Sequence, residues 1–234
     1  MNGLTGHRRF IWVGLFLCAL PNYFLSQSVG ADVQDNPFMQ RVPSVDLSKQ
    51  TVIDGVALLS QTTAHVAFAI EFPLGQTISA SAPPLRTFDA TIAADTLTGA
   101  LNSLCNLDST FSWQPIGHTV NVFPSALTKD SSYLFNKEID SLEIKAVADA
   151  QEAIFAVVAQ VPVQKQQIAV LQAGPSLRFA KPWTVSYNNI SVREAFDKIA
   201  EQLGPTYGWQ FSGAADFRVI RFHQGISPKA STTH

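Results

Sequence analysis

Two stretches of the chain, FDATIAADTLTGALNSLCNLDSTFSWQ at residues 88–114 and WTVSYNNISVREAFDKIAEQLGPTYGWQ at residues 183–210, are one unit written twice, with a residue inserted in the second. Aromatic stands over aromatic at Phe88 and Trp183, Ala100 over Ala195, and Trp113-Gln114 over Trp209-Gln210. In each stretch apolar residues recur at i, i+3, i+4 and i+7: Leu97, Ala100, Leu101 and Leu104, then Val192, Ala195, Phe196 and Ile199. That spacing lays one apolar stripe along a helix. Thr96 and Ser191 occupy matching N-cap positions, where a side-chain oxygen satisfies free N–H groups of the first turn, and Ser191 with Glu194 spells a capping box. An alternating strand precedes each helix, with Phe88, Ala90 and Ile92 or Trp183, Val185 and Tyr187 on its apolar face.

Working outward, the likeness continues more weakly. Residues 51–60 read as a capped helix before a strand at 66–72, and residues 149–160 as a helix before a strand at 167–171. Hairpins close the copies, 111–115 with 119–123 through a turn at Gly117, and 207–212 with 217–222 through Gly213 to Asp216. The expected class is α+β: two tandem small α/β domains, each helix-strand-strand-helix-strand-strand, with two helices packed on a small mixed sheet. The first occupies 48–124 and the second 139–223. An irregular leader spans 32–47, a linker 125–138 and a tail 224–234. Units of about 80 residues are marginal alone, so the copies are expected to pack side by side.

The start of the chain reads as a signal peptide over residues 1–31. Arg8 and Arg9 give a positive region, residues 10–20 (FIWVGLFLCAL) an apolar one of ordinary signal length, and small residues near Gly30 and Ala31 a cleavage site. The competing expectation is an uncleaved anchor, for which the apolar run is short. Leu15-Phe16-Leu17 before Cys18 lacks the small residue a lipoprotein box needs. Cleavage leaves Cys105 alone, so no intramolecular disulfide staples the mature fold. Residues 32–130 hold 9 acids against 4 Lys/Arg, and residues 131–234 hold 9 against 10. Neither half carries a basic stripe able to neutralise phosphates, so nucleic acid is not an expected partner. Nor does any later segment reach the roughly 20 apolar residues of a membrane span.

Reactive chemistry is sparse. His65, His118, His223 and His234 have no His, Cys or carboxylate at the i, i+4 spacing of a helical metal site, and no phosphate loop, dinucleotide fingerprint or nucleophile elbow is present. The expectation is no enzyme, no cofactor and no metal. Cys105, among Leu101, Leu104 and Leu107, reads as a buried inert thiol. Glu194, Asp197 and Glu201 around Arg193 and Lys198 read as a solvated helix face. Trp113 and Trp209 fit core packing better than a ligand-stacking platform.

The strand, the helix with Thr96-Leu97 and Ala100-Leu101 or Ser191-Val192 and Ala195-Phe196, and the aromatic hairpin together resemble the short N-terminal domain shared by secretins and TonB-dependent receptors. Val56, Leu58 and Leu59 before Thr62-Thr63 resemble that domain's first half. The resemblance implies a periplasmic adaptor that docks an envelope protein on another chain, a secretin, receptor or energy transducer, through strand edges and helix faces. The alternative is a cell-wall glycan or small-ligand binder using the aromatic strands. Arg218 and Arg221, on the last strand, are the candidate partner-binding residues, set against the plainer role of charges that discourage edge aggregation. Intact-mass measurement of the exported protein is expected to give a chain beginning near Ala31 or Asp32; a mass that retains residues 1–30 would mark an uncleaved anchor.

Overall fold

Four helices begin where a capping side chain stands. Thr51, Thr96, Asp149 and Ser191 each accept a hydrogen bond from the backbone N–H three residues on, opening α1 (Val52–Thr62), α2 (Leu97–Leu107), α3 (Ala150–Gln160) and α4 (Val192–Leu203) in the computed structural model. The full reciprocal capping box is made at Thr51 and Asp54, while at Ser191 the side chain takes the Glu194 N–H. The structure describes residues 36–72, 85–161, 170–172, 177–214 and 217–225. The expected signal peptide, the end of the tail and part of the second copy's first connection lie outside the described residues.

The fold is α+β. The first copy contains β1 (Val45–Gln50), α1, β2 (Ala67–Glu71), β3 (Phe88–Ile92), α2, β4 (Phe111–Ile116) and β5 (Thr119–Pro124). The second repeats this order as β6 (Glu138–Asp149), α3, β7 (Val170–Gln172), β8 (Arg178–Ser191), α4, β9 (Tyr207–Ala214) and β10 (Phe217–Gln224). Each copy thus has a strand before its first helix that the sequence pattern did not reveal. Those strands pair antiparallel with the strand before the second helix, β1 with β3 and β6 with β8, as separate two-stranded ribbons. Each ribbon bulges at a residue in the left-handed region, Lys49 (φ 53°) and Ala146 (φ 52°), and the second ribbon shifts register again between Val147 and Asp149. The freed N–H is taken up by a side chain of the facing strand, Asp89 Oδ1 at 2.9 Å and Thr184 Oγ1 at 2.9 Å. Such a bulge kinks its strand while leaving one donor to be satisfied elsewhere. The leader also repeats: Gln40 O accepts from Leu97 N at 3.0 Å, and Lys137 O from Val192 N at 2.9 Å.

The remaining strands form one six-stranded mixed sheet in the order β4-β5-β2-β9-β10-β7. The copies therefore meet edge to edge. β2 runs parallel to β9, with Ala69, Ile70 and Glu71 opposite Trp209, Gln210 and Phe211, and Phe72 N donates to Phe211 O at 3.0 Å. Side chains alternate across β2. Phe68, Ile70 and Phe72 enter the core of α1 and α2, while Ala69 enters the core of α3 and α4. The first copy's helices thus cover one face of the sheet, and α4 crosses to cover the other face of the first copy's strands.

The seam explains sequence differences between the repeats. A Cβ on Gly208 of β9 would lie 1.9 Å from Phe68 O on β2, a distance at which backbone must move. The matching residue of β4 is Ser112, beside which no strand lies on the outer side among the described residues. Phe211 turns its backbone toward β2, and its counterpart Pro115 turns the same side of β4 outward with no N–H to offer. A proline on an outer strand blocks further pairing there. Gly208→Ala is expected to lower stability by about 2 kcal/mol or more through forced overpacking. Ser112→Ala should cost no more than about 1 kcal/mol, for one exchanged hydrogen bond. Denaturant midpoints of the two variants check this, and equal losses would contradict the seam.

Candidate functional site

The polar residues that the structure gathers lie at this seam. Arg193 and Asp197 stand one turn apart on α4, in the charged pattern that reads as a solvated face. The structure corrects that expectation: Arg193 is 5% exposed and Asp197 1%. Glu194 is half-buried, and only the Lys198–Glu201 pair, at 2.8 Å, behaves as a partly exposed surface ion pair. The physical reason is that α4 has two packed sides. Its apolar stripe faces its own copy, and the side carrying Arg193 and Asp197 faces the first copy's sheet.

Arg193 is held at every nitrogen. Its Nε donates to Glu71 Oε1 at 2.5 Å, its Nη2 to Glu71 Oε2 at 3.1 Å and its Nη1 to Asn136 Oδ1 at 3.0 Å. The guanidinium also lies over the Phe123 ring, 4.6 Å from its centre. A planar donor fork suits a carboxylate in a way an ammonium does not. Burial raises the Glu71 carboxyl above the ordinary carboxylate range, with the bonds and charge of Arg193 and a bond from Tyr133 pulling it back.

Asp197 accepts from Trp209 Nε1 at 2.7 Å on one oxygen and from Asn121 Nδ2 at 2.9 Å on the other. Among the described residues no cation pairs with it. Burial pushes its carboxyl up to about 8, against the pull of those two bonds, and the nearby Glu71 and Glu201 add to the rise. The group is therefore mostly protonated at neutral pH. The same indole bond occurs in the first copy, where Trp113 Nε1 donates to Asn102 Oδ1 at 2.9 Å. Asn102 and Asp197 occupy matching helix positions, so the repeated tryptophan is there to anchor hairpin to helix.

Other singled-out residues fall as follows. Trp209 is fully buried and stacks on Phe135 at 5.0 Å, while Trp113 is half-buried beside the first core. Neither indole N–H is left for a ligand. Burial, then the Asp108 charge, pushes the half-buried Cys105 thiol up to about 11, which keeps it protonated and a poor nucleophile. His118 is exposed in the β4–β5 turn, and among the described residues no group of three or more His, Cys, Asp or Glu could hold a metal. β10 lies between β9 and β7, and β7 pairs with it over Arg218–Ile220, so Arg218 is not on a sheet edge. Arg218 pairs in register with Val170 and Gly213, and Arg221 is exposed opposite Gln210. Among the described residues no helix is long and apolar enough to cross a membrane. The chain matches no protein-family model, no curated protein and no solved structure.

The residues of the seam are buried, and its charged groups bond to one another across the two copies. Glu71, Asn121, Asn136, Arg193 and Asp197 were missed as a group. The one available signal was an acid, Glu71, ending an otherwise apolar strand.

The buried acid makes stability pH-dependent. The folded Asp197 keeps its proton to about pH 8, whereas unfolded it loses it near its ordinary value of 3.8, so stability falls as pH rises between those values. His223 opposes this only at lower pH, because burial lowers it from 6.5 to about 4 and the unfolded state alone gains a proton there. Between pH 6.5 and 8 Asp197 acts unopposed by His223, at about 1.4 kcal/mol per pH unit. The wild type is expected to lose about 2 kcal/mol over that interval and Asp197→Asn almost none, with its indole bond intact, as read by denaturant unfolding. Equal pH slopes would contradict a protonated Asp197.

Proposed function

We propose that the chain is a non-enzymatic, exported adaptor that binds an envelope partner protein of a secretin, TonB-dependent or related secretion or transport system. The observation that carries this is the mode in which the two copies join. The module docks another module by laying strand against strand, β2 beside β9, and by placing a helix of one copy over the sheet of the other. Strand addition gives affinity through main-chain bonds and leaves side chains to give specificity. A chain that already joins two modules this way is suited to join a third on another protein.

The raised Cys105 thiol supports a non-enzymatic role, as do the internally bonded carboxyl groups of the seam. A glycan-binding role would need a surface other than the two indoles, because Trp209 is enclosed and both indole N–H groups are engaged.

The test is affinity capture from an envelope extract with residues 32–234 as bait. Recovery of a secretin, receptor or energy-transducer protein at near-stoichiometric yield is the expected result. Recovery of none of these would count against the adaptor.

A further inference from the structure

One face of the second copy's sheet is exposed at Arg221 and half-buried around it, where the first copy's counterpart is fully buried. In the first copy the face formed by Ala67, Ala69 and Glu71 of β2 and Thr119, Asn121 and Phe123 of β5 is fully buried, with α4 against it. Hairpin register equates the two copies residue by residue. Gln114 faces Asn121 as Gln210 faces Arg221, and Ser112 faces Phe123 as Gly208 faces His223. Arg221 therefore holds the place of Asn121, the residue whose side-chain amide donates to the Asp197 carboxyl of α4.

The surroundings differ in what covers them. Arg221 is exposed and is in no salt bridge among the described residues, while Gln210, Ser212, Val219 and His223 around it are half-buried. Toward β2 the face is bounded by the end of α1. There Ser60 and Thr63 enclose a cavity of about 60 Å³ with Thr206, Gly208 and His223, room for a few waters and too little for a sugar. A helix seated on the open part would lie beside α1 with Arg221 beneath it.

A second copy of this chain is a poor occupant. Approaching in the same mode, it would bring β4 to β7, and there Pro115 lacks the N–H and Ser112 carries the Cβ that the β2–β9 seam excludes. It would also bring Asn102, the match of Asp197, to Arg221, pairing a cation with a neutral amide. Charge complementarity asks for an acid at that point.

We propose that this face docks an acidic helix of a partner protein, with a helix carboxylate on the Arg221 guanidinium as Asp197 sits on Asn121. The inference rests on the adaptor reading and specifies its surface. A guanidinium takes a carboxylate through two parallel bonds, and covering the face would strengthen them by removing water. The neighbouring His223 is held neutral by burial, so Arg221 is the charge the partner meets.

The test places a photo-crosslinking residue at Gln210 in the full chain, and separately at the exposed Phe155 on α3, in the cells that export it. Mass spectrometry then identifies the joined segment. The Gln210 probe is expected to join a segment with acids at helical spacing. Arg221→Glu should cut that yield about tenfold or more, Arg221→Lys should keep most of it, and reversing the partner acid should restore it. Joining to a second copy, joining to a segment without acids, or a yield unmoved by Arg221→Glu would overturn the proposal. Crosslinks from Phe155 without any from Gln210 would overturn this surface and leave the adaptor standing. None from either would sink both.

Discussion

The rest of the structure depends on one ion pair, Arg193 with Glu71, sealed between the two copies. Burying two charges costs several kcal/mol per ion, and only good geometry with every donor satisfied offsets it. Here two bonds join the guanidinium to the carboxylate, a third goes to Asn136 in the linker and the Phe123 ring lies beneath. An apolar seam tolerates sliding, since hydrophobic contact has no preferred direction. A forked charge pair does not. Once Arg193 is fixed on Glu71, α4 lies across β2 and β5, Asp197 reaches Asn121, and β9 is held in register beside β2.

The duplication has the same internal plan in both copies and different outward chemistry. The capped helices, the bulged ribbon with its side-chain acceptor, the leader carbonyl on the second helix and the indole bond to that helix all occur twice. What differs lies where modules meet or could meet. Gly208 replaces Ser112 where strands touch, Pro115 replaces Phe211 where pairing stops, and Arg193 and Asp197 replace Thr98 and Asn102 on the helix that crosses over. One copy is built to receive, the other to reach.

Much of this was legible in the sequence and the rest was hidden for physical reasons. Helices at Leu97 and Val192 were readable because a 3.6-residue stripe and a capping oxygen are local signals. The strand at Glu138 was not, because its buried residues Ile139 and Leu142 stand three apart, where the facing strand has Asn189 in the left-handed region (φ 52°), and this spacing breaks the period of two. The seam was least legible. Arg193 and Asp197 lie among charges on one helix, and nothing local distinguishes a charge facing water from one facing Glu71, more than a hundred residues away in the chain. The meaning of Arg221 likewise needed the pairing register, since only the match of Trp209 with Phe222 to Trp113 with Val122 shows that it stands where Asn121 does.

The most direct measurement of whether the seam makes the two copies one body is native-state amide hydrogen exchange. If it does, the amides of Ile70, Phe72 and Phe211, which lie at the junction of β2 and β9, should exchange as slowly as those of Val120 and Val122 within the first copy and only through global unfolding. Junction amides that exchange orders of magnitude faster, while each hairpin stays protected, would show that the copies part without unfolding and would contradict a structure held by Arg193 and Glu71.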